Sequence, residues 1–266
     1  MTNKDILAEA QRLHTAEKDR QQVEATTVAH PDMDINAAYK IQKTWMDLKK
    51  KEGRKVVGHK IGLTSRAMQK SMGIEEPDYG TLLDDMVFEE GSTIEAAAFL
   101  DPKIEVELAF ILNKELKGEN VSVTDVLNST DYVVPALELI AARSYRLHPE
   151  TGYRRTVRDT ISDNAANGGI ILGGRPMRPD DLDLRWVGAM MSRNGVIEES
   201  GVSGAVLNHP AKGIAWLAQK YAAHNTSLLP GQIILAGSFT RPVNIRSGDT
   251  FTVDYGKMGS ISCYFS

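Results

Sequence analysis

Two glutamates in an alternating stretch of the sequence could bind a metal ion. Residues 103–110 read Lys-Ile-Glu-Val-Glu-Leu-Ala-Phe, so charged and apolar side chains alternate. Successive side chains of a β-strand point to opposite faces, and residues two apart lie about 6.6 Å from each other, so Glu105 and Glu107 would share one face. Two carboxylates placed in this way can converge on one cation, although a strand with one solvated face would show the same alternation.

A third glutamate, Glu138, lies in the apolar run Tyr-Val-Val-Pro-Ala-Leu-Glu-Leu-Ile at residues 132–140. An unpaired ionised carboxylate would be costly to bury there. A buried lysine or arginine could pair with it, or a metal ion could be shared with the other carboxylates, and the spacing favours neither solution. If Glu105, Glu107 and Glu138 do share an ion, three carboxylates without Cys or a close His pair favour Mg²⁺ or Mn²⁺ over zinc.

Lys60 and Asp78 are candidates for proton transfer or for contact with a substrate. Lys60 lies between two glycines, Gly58 and Gly62, which allow a close approach of the backbone to a ligand. Desolvation there would lower the pKa of Lys60, whereas an ordinary strand lysine would extend to water. Asp78 follows Glu-Glu-Pro and precedes Tyr-Gly, so we expect it in a rigid loop. It could have a role in catalysis there, or it could simply stabilise the turn.

The elements that position these residues can be predicted from periodicity. Residues 4–50 read as mainly helical, with a break near His30-Pro31 and Asp34 as an N-cap. From residue 55 onward the pattern changes to short β-type runs between glycine, proline and polar loops. We predict an α+β fold, with an N-terminal helical cap at residues 1–54 and a β-rich catalytic domain at residues 55–266. The predicted strands are 56–61, 104–112, 132–140, 170–172, 232–237 and 250–254, and two further helices are predicted at 65–72 and 211–223.

Composition narrows the class of protein. The chain has 266 residues, 42% of them hydrophobic, which is enough for one large globular core. The net charge of −4, with basic and acidic residues interspersed, predicts neither a nucleic-acid nor a membrane partner. A single cysteine, Cys263, excludes an intramolecular disulfide, and the charged N-terminus lacks the apolar segment of a signal peptide, so we expect a cytoplasmic protein.

Several motifs, spread over almost the whole chain, resemble the 2-oxo-alkenoate hydratase / 4-oxalocrotonate decarboxylase family of the fumarylacetoacetate hydrolase-like superfamily. They are Gly-His-Lys-Ile-Gly-Leu-Thr-Ser at 58–65, Glu-Pro-Asp-Tyr-Gly at 76–80, Ile-Glu-Val-Glu-Leu at 104–108, Tyr-Val-Val-Pro-Ala-Leu-Glu at 132–138, Ser-Asp-Asn-Ala-Ala at 162–166 and Gly-Ser-Phe-Thr-Arg-Pro at 237–242.

The resemblance implies a mixed β-sandwich or roll and assigns roles to individual residues. It implies that the three glutamates bind Mg²⁺ or Mn²⁺ and that Lys60 and Asp78 are the acid/base or substrate-orienting groups. It also implies substrate contacts at Leu63, Ser162 and Ser238. In the wider superfamily a threonine occupies the position of Ser238 and a proline that of Phe239, so contacts there would differ.

The activity that the resemblance implies is metal-dependent addition of water to a small 2-oxo dicarboxylate, in a homo-oligomer built on pentameric rings. A vinylogous decarboxylase using the same metal, a hydratase for a five-carbon dienoate and a non-catalytic partner subunit are the alternatives. The second carboxylate of a seven-carbon diacid would need cationic donors, which the arginine-rich stretch at 143–158 could supply, although a solvated loop explains it equally well. The arginines concerned are Arg143, Arg146, Arg154, Arg155 and Arg158.

Overall fold

A computed structural model describes the backbone of residues 1–266 and the side chains of all of them except residues 67 and 71. Its N-terminal part is helical, as predicted, with α1 (Asn3–Asp19), α2 (Thr26–Ala29) and α3 (Ile35–Lys51). The N-cap at Asp34 is confirmed, because its carboxylate accepts a 2.7 Å hydrogen bond from the Ala37 N–H at the start of α3.

The rest of the chain alternates strands with short helices. The further helices are α4 (Arg66–Met72), α5 (Val123–Asn128), α6 (Val157–Ser162) and α7 (Ala211–Ala222). The strands are β1 (Val56–Gly62), β2 (Asp78–Leu83), β3 (Val87–Glu89), β4 (Thr93–Ile94), β5 (Lys103–Leu112), β6 (Thr130–Ile140), β7 (Asn167–Leu172), β8 (Gly188–Arg193), β9 (Val196–Val202), β10 (Ile233–Leu235), β11 (Val243–Asn244), β12 (Thr250–Asp254) and β13 (Ser260–Phe265).

Two mixed sheets form the body of the protein. The larger has the strand order β2-β1-β10-β5-β6-β7-β3, with β11 added beside β5, and the smaller has the order β4-β13-β12-β8-β9. Most neighbours are antiparallel, whereas β1 and β10, β3 and β7, and β4 and β13 are parallel. The predicted α+β class is confirmed.

The alternation in β5 divides its side chains between two environments. Ile104, Val106, Leu108 and Phe110 are at most 1% exposed and belong to the main core, together with Phe251 of β12 and other residues of the smaller sheet. The side chains of opposite parity, including both glutamates, therefore point away from that core. The sequence pattern predicted that the apolar side chains of this strand pack into the core behind the glutamates, and the structure confirms this.

The fold differs from the sequence expectations at Asp78 and in several short elements that were not predicted, among them the β8–β9 hairpin. Asp78 was expected in a loop, but it is the first residue of β2 and pairs with Gly62 across the antiparallel β1–β2 ladder. The β8–β9 hairpin was not predicted, because β9 is mostly exposed and lacks a regular alternation of polar and apolar residues. In β2 the pairing with β1 outweighs the turn-forming tendency of the local sequence.

A buried arginine joins the N-terminal helices to the larger sheet. Arg143, just after β6, is 2% exposed and lies over the Trp45 ring of α3 at 5.0 Å. Its backbone N–H donates to Asp163 at 2.9 Å, and its guanidinium donates to the same carboxylate and to the Asp163 and Asn167 carbonyls. The helices pack against the sheet through this network, while the division into a cap and a catalytic domain stays a prediction.

A left-handed turn supports the edge strand β2. Asn164, Ala165 and Ala166 have φ values of 51°, 51° and 59°, a conformation that costs non-glycine residues free energy. The turn lets the Asn164 amide donate to the Thr81 carbonyl at 2.9 Å and accept from the Thr81 N–H at 2.8 Å. One side chain therefore pairs with the outer edge of β2 in the way a neighbouring strand would.

No described helix combines the length and the apolar composition that crossing a lipid bilayer requires.

We expect Asn164→Ala to lower the free energy of unfolding by about 2–4 kcal/mol, because it removes two hydrogen bonds to a partly buried strand edge as well as the left-handed preference of Asn. Asn225→Ala is the matched control, since Asn225 also has positive φ (53°) but is exposed, and it should cost only about 1 kcal/mol. Urea unfolding followed by circular dichroism measures both, and equal losses would show that the bonds to Thr81 contribute nothing.

Candidate metal centre and active site

Three glutamates converge on the face of the larger sheet that points away from the core. Glu105 of β5 lies directly opposite Glu138 of β6 in the antiparallel register, and Glu107 is two residues further along the same face. One carboxylate oxygen from each of the three lies within 4.8 Å of the others. Glu107 and Glu138 are each 1% exposed, and Glu105 is partly buried. The sequence prediction that these residues meet is confirmed by the geometry.

The three carboxylates are electrostatically unfavourable without a cation. Burial, followed by the charge of Glu138, raises the pKa of Glu105 to about 7. Burial and the charges of Glu138 and Glu105 raise the pKa of Glu107 well above its ordinary value. Neither oxygen of Glu138 receives a hydrogen bond from a described residue, although Lys60 Nζ lies 3.1 Å from Oε1 as an ion pair outside hydrogen-bonding angles. Buried acceptors that lack donors fit a site built for a cation.

The donor set suits a hard divalent cation. All three side chains offer oxygen atoms, which is the ligand type that Mg²⁺, Mn²⁺ and Ca²⁺ prefer. Glu107 is also held in place, because its Oε2 accepts the Gly237 N–H at 2.9 Å. The Tyr255 hydroxyl donates to the Ala136 carbonyl at 2.7 Å, beneath the same pair of strands. The residues present therefore fit a divalent metal held by Glu105, Glu107 and Glu138.

Gly237 matters because of its backbone conformation. Its φ of 117° is strained for other residues, and a Cβ there would lie 2.3 Å from Thr64 Oγ1. The glycine thus lets the chain turn close to the sheet and direct its N–H at Glu107. Its role was not recognised from the sequence, where it appeared only as the first residue of a family motif.

Lys60 and Asp78 lie beside the carboxylate cluster, on the neighbouring strands β1 and β2. The Lys60 ammonium contacts Glu138, and both Lys60 and Asp78 extend over Gly62. A Cβ at Gly62 would be 2.3 Å from Asp78 Oδ1 and 3.1 Å from Lys60 Nζ, so a side chain there would displace the Asp78 carboxylate from its position beside Lys60. The structure brings the two predicted catalytic residues together with the predicted metal ligands.

The expected lowering of the Lys60 pKa was wrong. Burial alone would lower it, but the negative charges of Glu138 and Asp78, with smaller effects of Glu107 and Glu105, raise the pKa above the ordinary value for lysine. Lys60 is 4% exposed, so it does not extend to water either. The sequence left burial of the lysine and extension to water as alternatives, and it did not show the number of carboxylates around Lys60.

For Asp78, burial affects the pKa more strongly than the neighbouring positive charge does. It is 1% exposed, and its Oδ1 has no hydrogen-bond partner among the described residues. Burial raises the pKa of Asp78 to about 6, although the Lys60 charge opposes the rise. Asp78 can therefore exchange a proton near neutral pH.

The three predicted substrate contacts lie in different surroundings, and their roles stay predictions. Leu63, directly after β1, has a left-handed φ of 54°, the type of strain that is often found at functional sites. Ser238 follows Gly237, and its hydroxyl donates to the Thr240 carbonyl at 3.0 Å. Ser162 is fully buried, and its hydroxyl donates to the Arg158 carbonyl at 2.9 Å, so its proton is already engaged.

One wall near Asp78 comes from the N-terminal helices, which the sequence analysis did not connect with the site. Tyr39 of α3 stacks on Tyr79 with ring centroids 4.4 Å apart, and burial followed by the Asp78 charge raises the pKa of Tyr39. Gln42 of the same helix donates to the Tyr79 carbonyl at 2.9 Å. A separate cavity of about 160 Å³ between Glu17, Phe99 and other residues includes none of the site residues and is not part of this centre.

Comparison with known proteins agrees with this geometry. Residues 54–265 match the model of the C-terminal domain of fumarylacetoacetate (FAA) hydrolase. The chain belongs to the fumarylacetoacetate hydrolase family. It is 62% identical, over 96% of both chains, to the 2-oxo-hept-4-ene-1,7-dioate hydratase of Escherichia coli. It is 34% identical to the 2-hydroxyhexa-2,4-dienoate hydratase of Comamonas testosteroni, with 100% of both chains covered.

Within the fumarylacetoacetate hydrolase family, a solved structure closely matches the whole chain. The 4-oxalocrotonate decarboxylase from Pseudomonas putida G7, complexed with magnesium and adipate, superposes with a TM-score of 0.95 at 33% identity, covering 100% of this chain and 99% of that one. The fold expected from the family resemblance is confirmed. The chain is an enzyme of this family, and its carboxylate cluster fits a divalent metal.

We expect metal binding to weaken as the pH falls below about 7. The pKa of Glu105 is raised to about 7 and that of Glu107 is raised well above its ordinary value, so binding at lower pH must displace protons from carboxylates that are ionised in the complex. The apparent affinity for Mg²⁺ should fall by about tenfold per pH unit for each proton displaced. Isothermal titration calorimetry in buffers of different ionisation enthalpy measures both the affinity and the proton release. An affinity that is constant from pH 8 to pH 6, without proton release, would contradict this.

Proposed function

We propose that the protein is a divalent-metal-dependent hydratase acting on 2-oxohept-4-ene-1,7-dioate, through its 2-hydroxy-2,4-diene tautomer, to give 4-hydroxy-2-oxoheptanedioate. The observation that carries the proposal is the buried cluster of Glu105, Glu107 and Glu138 facing Lys60 and Asp78. The 62% identity to the Escherichia coli hydratase over 96% of the chain supports the choice of substrate.

The reaction needs two proton movements and one attack by water. The C2 hydroxyl of the diene loses a proton and C5 gains one, which gives a conjugated 2-oxo-3-ene. The oxygen of water then bonds to C4, and the proton that water gives up is balanced by protonation of C3. When Mg²⁺ or Mn²⁺ is bound, it supplies Lewis-acid polarisation of the 2-oxo acid oxygens.

Asp78 is the group best suited to move protons in this scheme. Its pKa of about 6 lies near neutral pH, where a general base is efficient, and its unpartnered Oδ1 is free to bond a substrate or water. Lys60 stays protonated because its pKa is raised by Glu138 and Asp78, despite its burial. We therefore assign Lys60 to stabilising negative charge and orienting the substrate, and Asp78 to the proton at C5 or the attacking water.

An ultraviolet assay of 2-hydroxyhepta-2,4-diene-1,7-dioate, with and without Mg²⁺, tests the function. We expect metal-dependent loss of the diene absorbance and a product heavier by one water molecule. Loss of CO₂ instead would identify a decarboxylase, the activity named for the Pseudomonas putida G7 structure. An unchanged substrate in the presence of metal would refute this substrate and leave a hydratase for a five-carbon dienoate or a partner subunit. Parallel assays with Mg²⁺ and Mn²⁺ identify the preferred ion.

We expect Asp78→Asn to lower kcat by about 100-fold or more, because the amide cannot accept a proton. Binding of Mg²⁺ should change little, since Asp78 is not among the three ligands, and the melting temperature above pH 6 should not fall, because the buried charge is removed. Asp32→Asn, on the exposed surface, is the matched control. Steady-state kinetics and calorimetry measure the two effects. Wild-type turnover in an Asp78→Asn protein that binds Mg²⁺ normally would exclude the role given to Asp78.

We also propose that the enzyme is a pentamer-based homo-oligomer acting in the cytoplasm on this small molecule, without a nucleic-acid or membrane partner. The interspersed charges and the family resemblance support these points. Light scattering on the purified protein measures the number of subunits.

A further inference from the structure

One edge of β5 has no neighbouring strand beside the two glutamates that it carries. Along this edge β10 pairs with β5 as far as Ala109, and β11 pairs with it again from Ile104. The connecting segment, residues 236–242, is not a strand. The gap between the two ladders therefore falls beside Glu105 and Glu107, where another part of the chain must satisfy the backbone of β5.

The backbone groups of Val106, between the two glutamates, point into this gap. Alternate residues of an antiparallel strand direct their N–H and C=O to opposite neighbours. The Val106 carbonyl accepts the Phe239 N–H at 3.2 Å, and the Val106 N–H donates to the Thr240 hydroxyl oxygen at 3.2 Å. A side chain thus takes the place of a backbone acceptor. Because Val106 is fully buried, loss of the Thr240 hydroxyl would leave its N–H without that partner.

The Ser238 hydroxyl holds Thr240 in position. Its oxygen accepts the Thr240 N–H at 3.2 Å, and it donates to the Thr240 carbonyl at 3.0 Å. The same hydroxyl lies 3.3 Å from the Val106 carbonyl. Ser238 and Thr240 therefore form a local turn, closed by side-chain hydrogen bonds, against the middle of β5.

The same segment also bonds β5 on the other side of Val106. The Ala236 N–H donates to the Leu108 carbonyl at 3.0 Å. The Gly237 N–H donates to Glu107 Oε2 at 2.9 Å. Residues 236–240 therefore contact the backbone on both sides of one glutamate as well as its carboxylate.

Strand β9 supports this segment from outside. The Phe239 carbonyl approaches Gly201 so closely that a Cβ there would lie 1.9 Å from the carbonyl oxygen. Arg241 Nε donates to Glu199 of β9 at 2.9 Å. The Phe239 ring packs edge-on against Tyr255, with ring centroids 6.4 Å apart. The segment is therefore held between β9 and β5.

The placement of both glutamates depends on the peptide that this segment holds. Val106 is bonded covalently to Glu105 and to Glu107, so a shift of its backbone moves both carboxylates. Ligand distances in a metal site vary by only about 0.2 Å. Removing a group that orients a metal ligand typically weakens metal binding by about 10-fold to 100-fold.

We propose that Thr240 is a positioning residue for the metal centre, because its hydrogen bond to Val106 sets the spacing of Glu105 and Glu107. The inference rests on the proposed function, since it assumes that these glutamates bind a divalent cation. The Thr240 hydroxyl bonds the backbone of β5, so it acts through the strand and not as a ligand. In the sequence Thr240 was only one residue of a family motif.

Thr240→Val tests the proposal, because it keeps the branched shape of the side chain and removes the acceptor. Thr240→Ser keeps the hydroxyl and is the conservative variant. Calorimetric titration of the metal-free proteins with Mg²⁺ measures the Kd. We expect the Kd to rise about tenfold in Thr240→Val and to stay within about threefold of wild type in Thr240→Ser. Thr252→Val, exposed in β12, is the matched control and should leave the Kd unchanged.

A kinetic measurement separates positioning from a general loss of structure. In the diene assay, the Mg²⁺ concentration that gives half the maximal rate should rise about tenfold in Thr240→Val. Turnover at saturating Mg²⁺ should stay within about threefold of wild type, because bound metal selects the arrangement in which the glutamates converge. If Thr240→Val does not fold, as judged by circular dichroism, Ser238→Ala decides. Loss of the brace on Thr240 should weaken Mg²⁺ binding about threefold, and an unchanged Kd would refute the proposal.

The outcomes separate the positioning role from the function on which it rests. A folded Thr240→Val protein with the wild-type Kd would refute the role and leave the hydratase intact, even if its stability is lower. An equal loss of affinity in Thr240→Val and Thr240→Ser would also refute it, because the hydroxyl would not be the deciding group. If the wild-type protein binds Mg²⁺ but does not hydrate the diene, the substrate is wrong and the Kd values still decide the role of Thr240. If it binds neither Mg²⁺ nor Mn²⁺, the metal-dependent function and this inference both fail.

Discussion

Repulsion between Glu105 and Glu138 is the constraint on which the rest of this site depends. The two carboxylates face each other across antiparallel strands, an arrangement that is destabilising for like charges, and Glu107 adds a third within 4.8 Å. The antiparallel pairing of β5 with β6 fixes this geometry, so the side chains cannot separate without breaking the ladder. The fold therefore supplies positive charge from its own residues, and the arrangement fits a cation that would supply the rest.

The positive charge comes from Lys60. Its ammonium reaches the cluster from β1 and lies 3.1 Å from Glu138, while Gly62 leaves space for both Lys60 and Asp78. The charges of Glu138 and Asp78 in turn raise the pKa of Lys60 despite its burial. One ammonium does not balance the three glutamates and Asp78, so negative charge remains in excess at the site.

Much of this arrangement could be predicted from the sequence, and the remainder has physical reasons. The alternation of polar and apolar residues in β5 shows which side chains share a face of the strand. The N-cap of α3 and the ends of several strands follow from residue types in the local sequence. The meeting of Glu138 with Glu105 depends on the register between two strands, which no single segment encodes. The strand conformation of Asp78 depends on pairing with β1 and on Asn164, which is more than 80 residues away in the sequence. The pKa of Lys60 is raised, whereas desolvation alone would lower it, because the shift depends on how many carboxylates the fold brings close to the ammonium.

The contacts made by α3 also limit how the molecule can be divided. Gln42 donates to backbone carbonyls at Tyr79 and Ile161, and Tyr39 stacks on Tyr79 beside Asp78, so a helix outside the family-matched region 54–265 forms part of the wall of the candidate site. Deleting the first 53 residues would uncover Trp45's partners on the sheet and leave the buried Arg143 without its aromatic neighbour. Grafting the family-matched region alone into a fusion protein would therefore transfer the three glutamates, Lys60 and Asp78 without the helix that encloses them on one side.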